Sequence, residues 1–135
     1  MNPTARHIAD RCLLLRTRRL ARVVTRVYVD AMAHHGLSVG QFSVLVAVGT
    51  VPGARAADLS GGLDLERSTL SRELAALLAE GLITSTPVDG RSQALHLTEA
   101  GAARIAAAQP SWERAQADAA ALLGPLAPAL LDHFA

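Results

Sequence analysis

The sequence predicts a mainly α-helical domain carrying one small β-hairpin, and three observations predict it. Half of the 135 residues are apolar but only 3% are aromatic, and the apolar mass is Ala, Leu and Val, which suits helices packed on helices. Apolar residues recur at helical spacing along most of the chain, most clearly at Leu70, Leu74, Leu77 and Leu78. Asp89-Gly90 lies between two short β-prone runs, a strong hairpin signal.

Taken in order, residues 6–35 read as one long helix, with Leu13, Leu20, Val24, Val27 and Ala31 on a three-to-four spacing and Thr17 as the polar member of the stripe. Arg18, Arg22 and Arg26 form an i, i+4 row on it, which suits either a solvated face or a phosphate or ligand contact. Gly36 is a natural stop. Ser38, followed three residues later by Gln41, marks a capping box for a second helix ending near Gly49. After Pro52-Gly53 a short helix is expected from Arg55 to Leu63, weakened by Gly61-Gly62 at roughly 1 kcal/mol per glycine. The next helix opens at Asp64 or Glu66. Asp64 is the better cap by residue type, which places Arg67 at the third helical position. Gly81 ends it. Strands are expected over 82–86 and 93–97, and Thr98 caps a long helix in which Pro110 removes a hydrogen bond and favours a kink. Gly124-Pro125 stops that helix before a short apolar one.

The order is helix, helix, short helix, helix, hairpin, helix, helix. The central span 36–97 therefore reads as a winged helix-turn-helix, and the flanking segments 6–35 and 98–135 as dimerisation helices of a single domain spanning 1–135. The aliphatic stripe on a helix this long exceeds what so small a chain can bury, so a homodimer joined through its ends is expected.

Net charge is +1, and all thirteen basic residues are Arg, seven of them within the first thirty positions. Residues 55–91 hold four Arg against six acids, a local balance of −2. Non-specific DNA affinity should then be modest and salt-sensitive, leaving specificity to a few directed contacts. On a helical wheel the leucines of the fourth helix share one arc. Arg72 and Ala76 point away from it, with Ser68 and Thr69 alongside and Arg67 in the open first turn. An N-terminal turn bearing Arg, Ser and Thr suits the major groove, because free N–H groups favour phosphate and Arg forks onto guanine. The same residues would otherwise form an ordinary polar face; the preceding short helix and following hairpin favour the reader. Arg91 on the hairpin tip suits a narrow minor groove, with Asp89 expected to hold its guanidinium.

Other function classes find little support. No apolar run reaches membrane-span length, and the charged N-terminus lacks a signal-peptide core. A single cysteine fits a reducing cytoplasm. No nucleophile stands beside a base and no phosphate-binding glycine loop is present, so neither an enzyme nor a cofactor is expected. His7, His34, His35, His96 and His133 contain no i, i+4 pair, so no metal site is expected.

The segments LSVGQFSVL, LERSTLSRELAALLAEGLI and DGRSQALHLTEAG carry a resemblance to MarR-type (multiple antibiotic resistance) regulators over nearly the whole chain. The last matches the family pattern at Asp89, Arg91, Leu97, Thr98 and Gly101. The resemblance implies a homodimeric repressor on a pseudo-palindromic double-stranded operator, released by a small molecule or an oxidant. It also implies that Ser68, Thr69 and Arg72 read the groove and that Arg91 is the minor-groove arginine of the wing. Cys12, with Arg11, Arg16 and Arg19 near in sequence, is a candidate redox sensor, since cations and a helix start favour the thiolate that peroxides oxidise. It is similar in placement to the reactive cysteine of organic hydroperoxide regulators. Tyr28 is the chain's one tyrosine, whereas that branch uses several, and plain packing of a small thiol is the other reading. The alternative function is a winged-helix dimer serving as a protein-interaction module with little DNA affinity.

Overall fold

The computed structural model describes residues 1–134. Its elements run α1 (Pro3–Arg11), α2 (Leu13–Ala33), α3 (Val39–Thr50), α4 (Ala56–Leu63), α5 (Arg67–Ala79), β1 (Ile83–Asp89), β2 (Ser92–Leu97), α6 (Glu99–Leu123) and α7 (Leu126–His133). This is the mainly helical, hairpin-bearing order that the sequence predicts.

The expected single helix over 6–35 is two helices. α1 begins at Pro3, capped by Asn2 Oδ1, which accepts from Ala5 N at 3.0 Å. It ends at Cys12, whose backbone is extended (φ −72°, ψ 112°). The Arg16 guanidinium donates to the carbonyls of Ala9 and Asp10, satisfying groups that the end of α1 leaves open. Neither glycine nor proline marks this break, and the apolar stripe read from the sequence begins only at Leu13, just past it.

α2 stops where expected. Gly36 adopts φ +66°, and Leu37 N returns to Met32 O at 3.3 Å, closing the helix end. The Ser38–Gln41 capping box is present in both directions, at 3.0 Å each. α4 is short, as Gly61-Gly62 suggests, and a side chain at either glycine would meet open space. α6 continues through Pro110 to Leu123.

One apolar core joins the layers. Met32 of α2, Val44, Leu45 and Val48 of α3, Leu70, Leu74 and Leu77 of α5 and Ile83 of β1 are buried together, with Ala108 of α6 behind them. α2 packs on α6 and α3, while α5 packs on α3, α4 and β1. α3 is thus the shared floor between the terminal helices and the helix-turn-helix. Arg104 of α6 bridges the two regions, donating to His35 O at 3.2 Å and lying 3.9 Å from Glu80 at the end of α5.

The hairpin is longer than the sequence suggests. β1 and β2 pair antiparallel from Ile83 opposite Leu97 to Asp89 opposite Ser92, with a bulge between Pro87 and Asp89. Beyond Ile83 every residue of β1 is exposed, so its outer half lacks the in–out alternation that identifies a strand. None of the described helices is long and apolar enough to cross a membrane.

The terminal helices leave apolar side chains uncovered. Leu13, Leu14 and Leu15 of α2, Leu122 of α6, and Leu126, Leu130 and Leu131 of α7 are all exposed, Leu13 to 78%. Leucines this exposed at both ends of the chain are where an interaction face would lie.

Candidate nucleic-acid interface

α5 is presented by the turn that precedes it. α4 ends in Asp64, which takes the left-handed conformation (φ 50°), the one non-glycine residue among those described with positive φ. Asp tolerates that conformation better than most residues, because its short side chain bonds locally. Asp64 therefore terminates α4 and does not cap α5, correcting the expectation. Glu66 holds the N-cap position, and Arg67 is the first residue of α5. The shift carries Arg67 out to the helix end, where its side chain is exposed.

Leu70, Leu74 and Leu77 turn inward, and the opposite face stays open. Ser68 and Arg72 are exposed, and Thr69 is half-buried. Arg72 Nη2 donates to Thr69 Oγ1 at 3.4 Å, a long bond that orients the guanidinium along the helix without consuming it. Leu78 departs from the predicted arc: it is 40% exposed. One i+8 step overshoots the buried stripe, and Leu78 instead lines a groove with Leu74, Arg55, Ala56, Arg91 and Gln93. That groove, of about 470 Å³, separates α5 and α4 from the hairpin.

The hairpin is anchored at its base and near its tip. Gly53 N donates to Leu95 O at 2.8 Å, and Leu95 N donates to Ala54 O at 2.9 Å, stitching the loop before α4 to β2. Gly53 sits at φ +80°, which suits glycine. Near the tip, Asp89 Oδ2 lies 4.0 Å from Arg55 Nη2. The expected Asp89–Arg91 pair is therefore replaced: Asp89 faces α4, where Arg55 is available across the groove, and Arg91 stays exposed at the turn. Arg55 also starts α4, its N–H donating to Asp58 Oδ2 at 3.0 Å. The sequence places Arg55 at the start of a short helix and counts it as charge, with no partner for it. The signal for its role was an arginine at a helix start, three residues before an acid.

The remainder of the Asp89–Gly101 pattern is structural. The Thr98 hydroxyl shares its proton between Gly81 O (2.7 Å) and Leu82 O (3.0 Å), and its oxygen accepts from Gly101 N at 3.0 Å. A Cβ on Gly101 would lie 2.0 Å from Leu82 O, so only glycine lets the first turn of α6 sit against the end of α5.

Other singled-out residues lie elsewhere. Cys12 is half-buried at the α1–α2 break. The Tyr28 hydroxyl donates to Gln116 Oε1 across α2 and α6, and partial burial pushes its pKa up. His35 Nε2 is 2.8 Å from Ser111 Oγ, and His96 Nε2 is 3.3 Å from Thr86 Oγ1.

Comparison with known proteins agrees with this geometry. The MarR family model matches residues 35–92, from the end of α2 to the hairpin turn. None of the curated proteins compared matches the chain. Among solved structures the chain is similar to the M. tuberculosis transcriptional regulator MosR, with 31% identity over 85% of this chain and 84% of that one, and a TM-score of 0.74. MosR has also been solved in complex with DNA, with a TM-score of 0.73 against this chain. The transcriptional repressor CouR, bound to a 23-mer DNA duplex, is 29% identical over 94% of this chain and 92% of that one, with a TM-score of 0.83. Helix order, the leucine-backed α5 and the Asp89–Gly101 pattern thus meet in one conclusion: this chain belongs to the MarR family of winged-helix transcriptional regulators.

Proposed function

We propose that the chain is a homodimeric, sequence-specific regulator of double-stranded DNA that acts as a repressor. Residues 36–97 read the operator, and residues 6–35 and 98–135 join the two copies. The observation that carries this reading is the opposed faces of α5: Leu70, Leu74 and Leu77 fix it to the core while Arg67, Ser68 and Arg72 stay free at the open end. Thr69 stands beside them, and Arg91 projects from the adjacent hairpin. MosR and CouR, similar over most of their length, are seen bound to DNA. In this reading α5 enters the major groove and Arg91 reaches the flanking minor groove, where negative potential is high. The exposed leucines of α2, α6 and α7 cover one another in the dimer.

Binding by fluorescence anisotropy to the protein's own promoter fragment tests it. Arg72→Ala should cost about 1–3 kcal/mol per site if it reads a base. Arg91→Ala should weaken binding across sequences and lower the salt slope by about one phosphate equivalent. Unchanged affinity with both variants would favour the protein-interaction module instead.

Release from DNA belongs to the same proposal. A small molecule lodged between the terminal helices and the helix-turn-helix, or oxidation of the Cys12 thiol to a sulfenic acid by peroxide, changes how the terminal helices seat on α3 and hence the spacing of the paired α5 helices. Cys12 sits where α1 meets α2, so a bulkier, polar sulfur there acts on a joint already held by Arg16. Mass spectrometry after mild peroxide treatment should find Cys12 modified and DNA binding lost. A reduced Cys12 with binding intact rules out the oxidative route.

A further inference from the structure

Two helix ends converge on one cation. At the end of α2, Met32 O accepts from Leu37 N and Ala33 O from Gly36 N. His35 O, just beyond them, accepts from Arg104 Nη1 of α6 at 3.2 Å. Glu80 holds the C-cap position of α5, and its carboxylate lies 3.9 Å from the same nitrogen. The C-terminal ends of helices carry partial negative charge, so a guanidinium where two of them meet is favourably placed. Glu80 on its own is not. A carboxylate there opposes the dipole of α5, whose last turn holds no basic residue, and Arg104 is the cation that offsets it.

The place of this contact in the fold gives it a role. Arg104 follows Thr98 and Gly101 at three-residue steps along the start of α6. Thr98 bonds Gly81 O and Leu82 O, and Gly101 lets Leu82 O approach, so this seam of α6 runs against the chain leaving α5. Otherwise α5 packs on α3, α4 and β1. Among the described residues the ion pairs are Arg6–Asp10 within α1, Arg55–Asp89 between the start of α4 and the hairpin, and Arg104–Glu80. The last alone joins a terminal helix to α5. His35 meets α6 a second time, its Nε2 lying 2.8 Å from Ser111 Oγ, so the α2 end of the contact is fixed to α6 at two points. The Arg104 and Glu80 side chains are both partly exposed, and such a pair contributes little to stability. What it supplies is direction: it constrains where the end of α5 stands relative to α2 and α6.

We propose that Arg104 is a positioning residue for operator recognition, which sets the half-site spacing the dimer accepts by holding the end of α5 against α2 and α6. This rests on the dimeric DNA reading above. The test is fluorescence anisotropy with the full-length protein and three duplexes. One is the site that the parent protein recovers from random sequence; the others are the same site with one base pair inserted or removed at its centre. The parent should bind the altered duplexes roughly fivefold or more weakly, and Arg104→Gln should cut that discrimination to about twofold or less, the scale on which one residue shifts coupling between regions. Base preference within each half-site should persist in Arg104→Gln, whereas Arg72→Ala should lose base preference and keep the spacing discrimination. Arg104→Lys, which keeps a cation at both helix ends, should restore the parent's behaviour. Glu80→Gln should relax spacing too, and adding it to Arg104→Gln should relax it no further. Thermal midpoints would accompany each variant, and Glu80→Gln carries the test should Arg104→Gln fail to fold. Unchanged spacing discrimination in these variants, or equal weakening on all three duplexes, would overturn the proposal while leaving the DNA reading intact. A parent protein indifferent to spacing would overturn both.

Discussion

Gly101 shows how much a single position carries. Its missing side chain lets Leu82 O approach where a Cβ would stand at 2.0 Å, and Leu97 Cδ1 is nearly as close at 2.8 Å. The first is backbone and has no rotamer to yield. Gly101→Ala should therefore destabilise the fold by about 1–3 kcal/mol, as overpacking does, with a lower urea midpoint and an unchanged slope. Gly81→Ala, with open space around it but φ +71°, tests strain without a clash. The sequence marked Gly101 only as part of a pattern, and the reason for glycine is a contact across 19 residues of chain (101 − 82). Ser68 and Arg72 were legible as outward from periodicity, whereas Ala76, expected beside Arg72, is half-buried. The partner of Asp89 was not legible, because Arg55 reaches it through tertiary structure, and proximity in sequence favoured Arg91.

At the scale of elements, the hairpin and α4 behave as one unit. Two backbone hydrogen bonds through Leu95 fix the hairpin base, and the Arg55–Asp89 pair holds its outer half toward α4. Both side chains of that pair are about half exposed or more, so its contribution to stability is small, of the order found for surface ion pairs. Its work is orientation. Arg55→Ala should leave the thermal midpoint within about 2 °C while weakening operator binding, because Arg91 then samples more positions. Rescue by Arg55→Lys but not by Arg55→Gln would assign the effect to the charge. Element order was readable in the sequence, with helix caps at Ser38 and Thr98 and stops at Gly36 and Gly124. The α1–α2 break and the α5 cap were not. In both cases one residue leaves the helical conformation, Cys12 for ordinary extended backbone and Asp64 for the left-handed region, and no residue type in the sequence announces it.

Across the whole molecule, α3 underlies both ends of the design. It packs against α2 and α6 on one side and against α4 and α5 on the other, which makes it the element through which the proposed release would act. The sequence led to a dimer through an excess of aliphatic stripe, but of that stripe only Leu13 is exposed; Leu20, Val24, Val27 and Ala31 are half-buried, and the uncovered leucines are mostly others on α2, α6 and α7. On the proposed dimer a two-fold operator would follow, with paired α5 helices meeting successive major grooves about 34 Å apart. The most direct measurement is selection of bound sequences from random duplexes by the parent protein and by Arg72→Ala. The parent should recover inverted half-sites about 10 base pairs apart, and the variant should lose preference at one base pair in each half. Recovery of the same site by both proteins, or of sites without two-fold symmetry, would contradict a leucine-backed α5 reading DNA from a dimer.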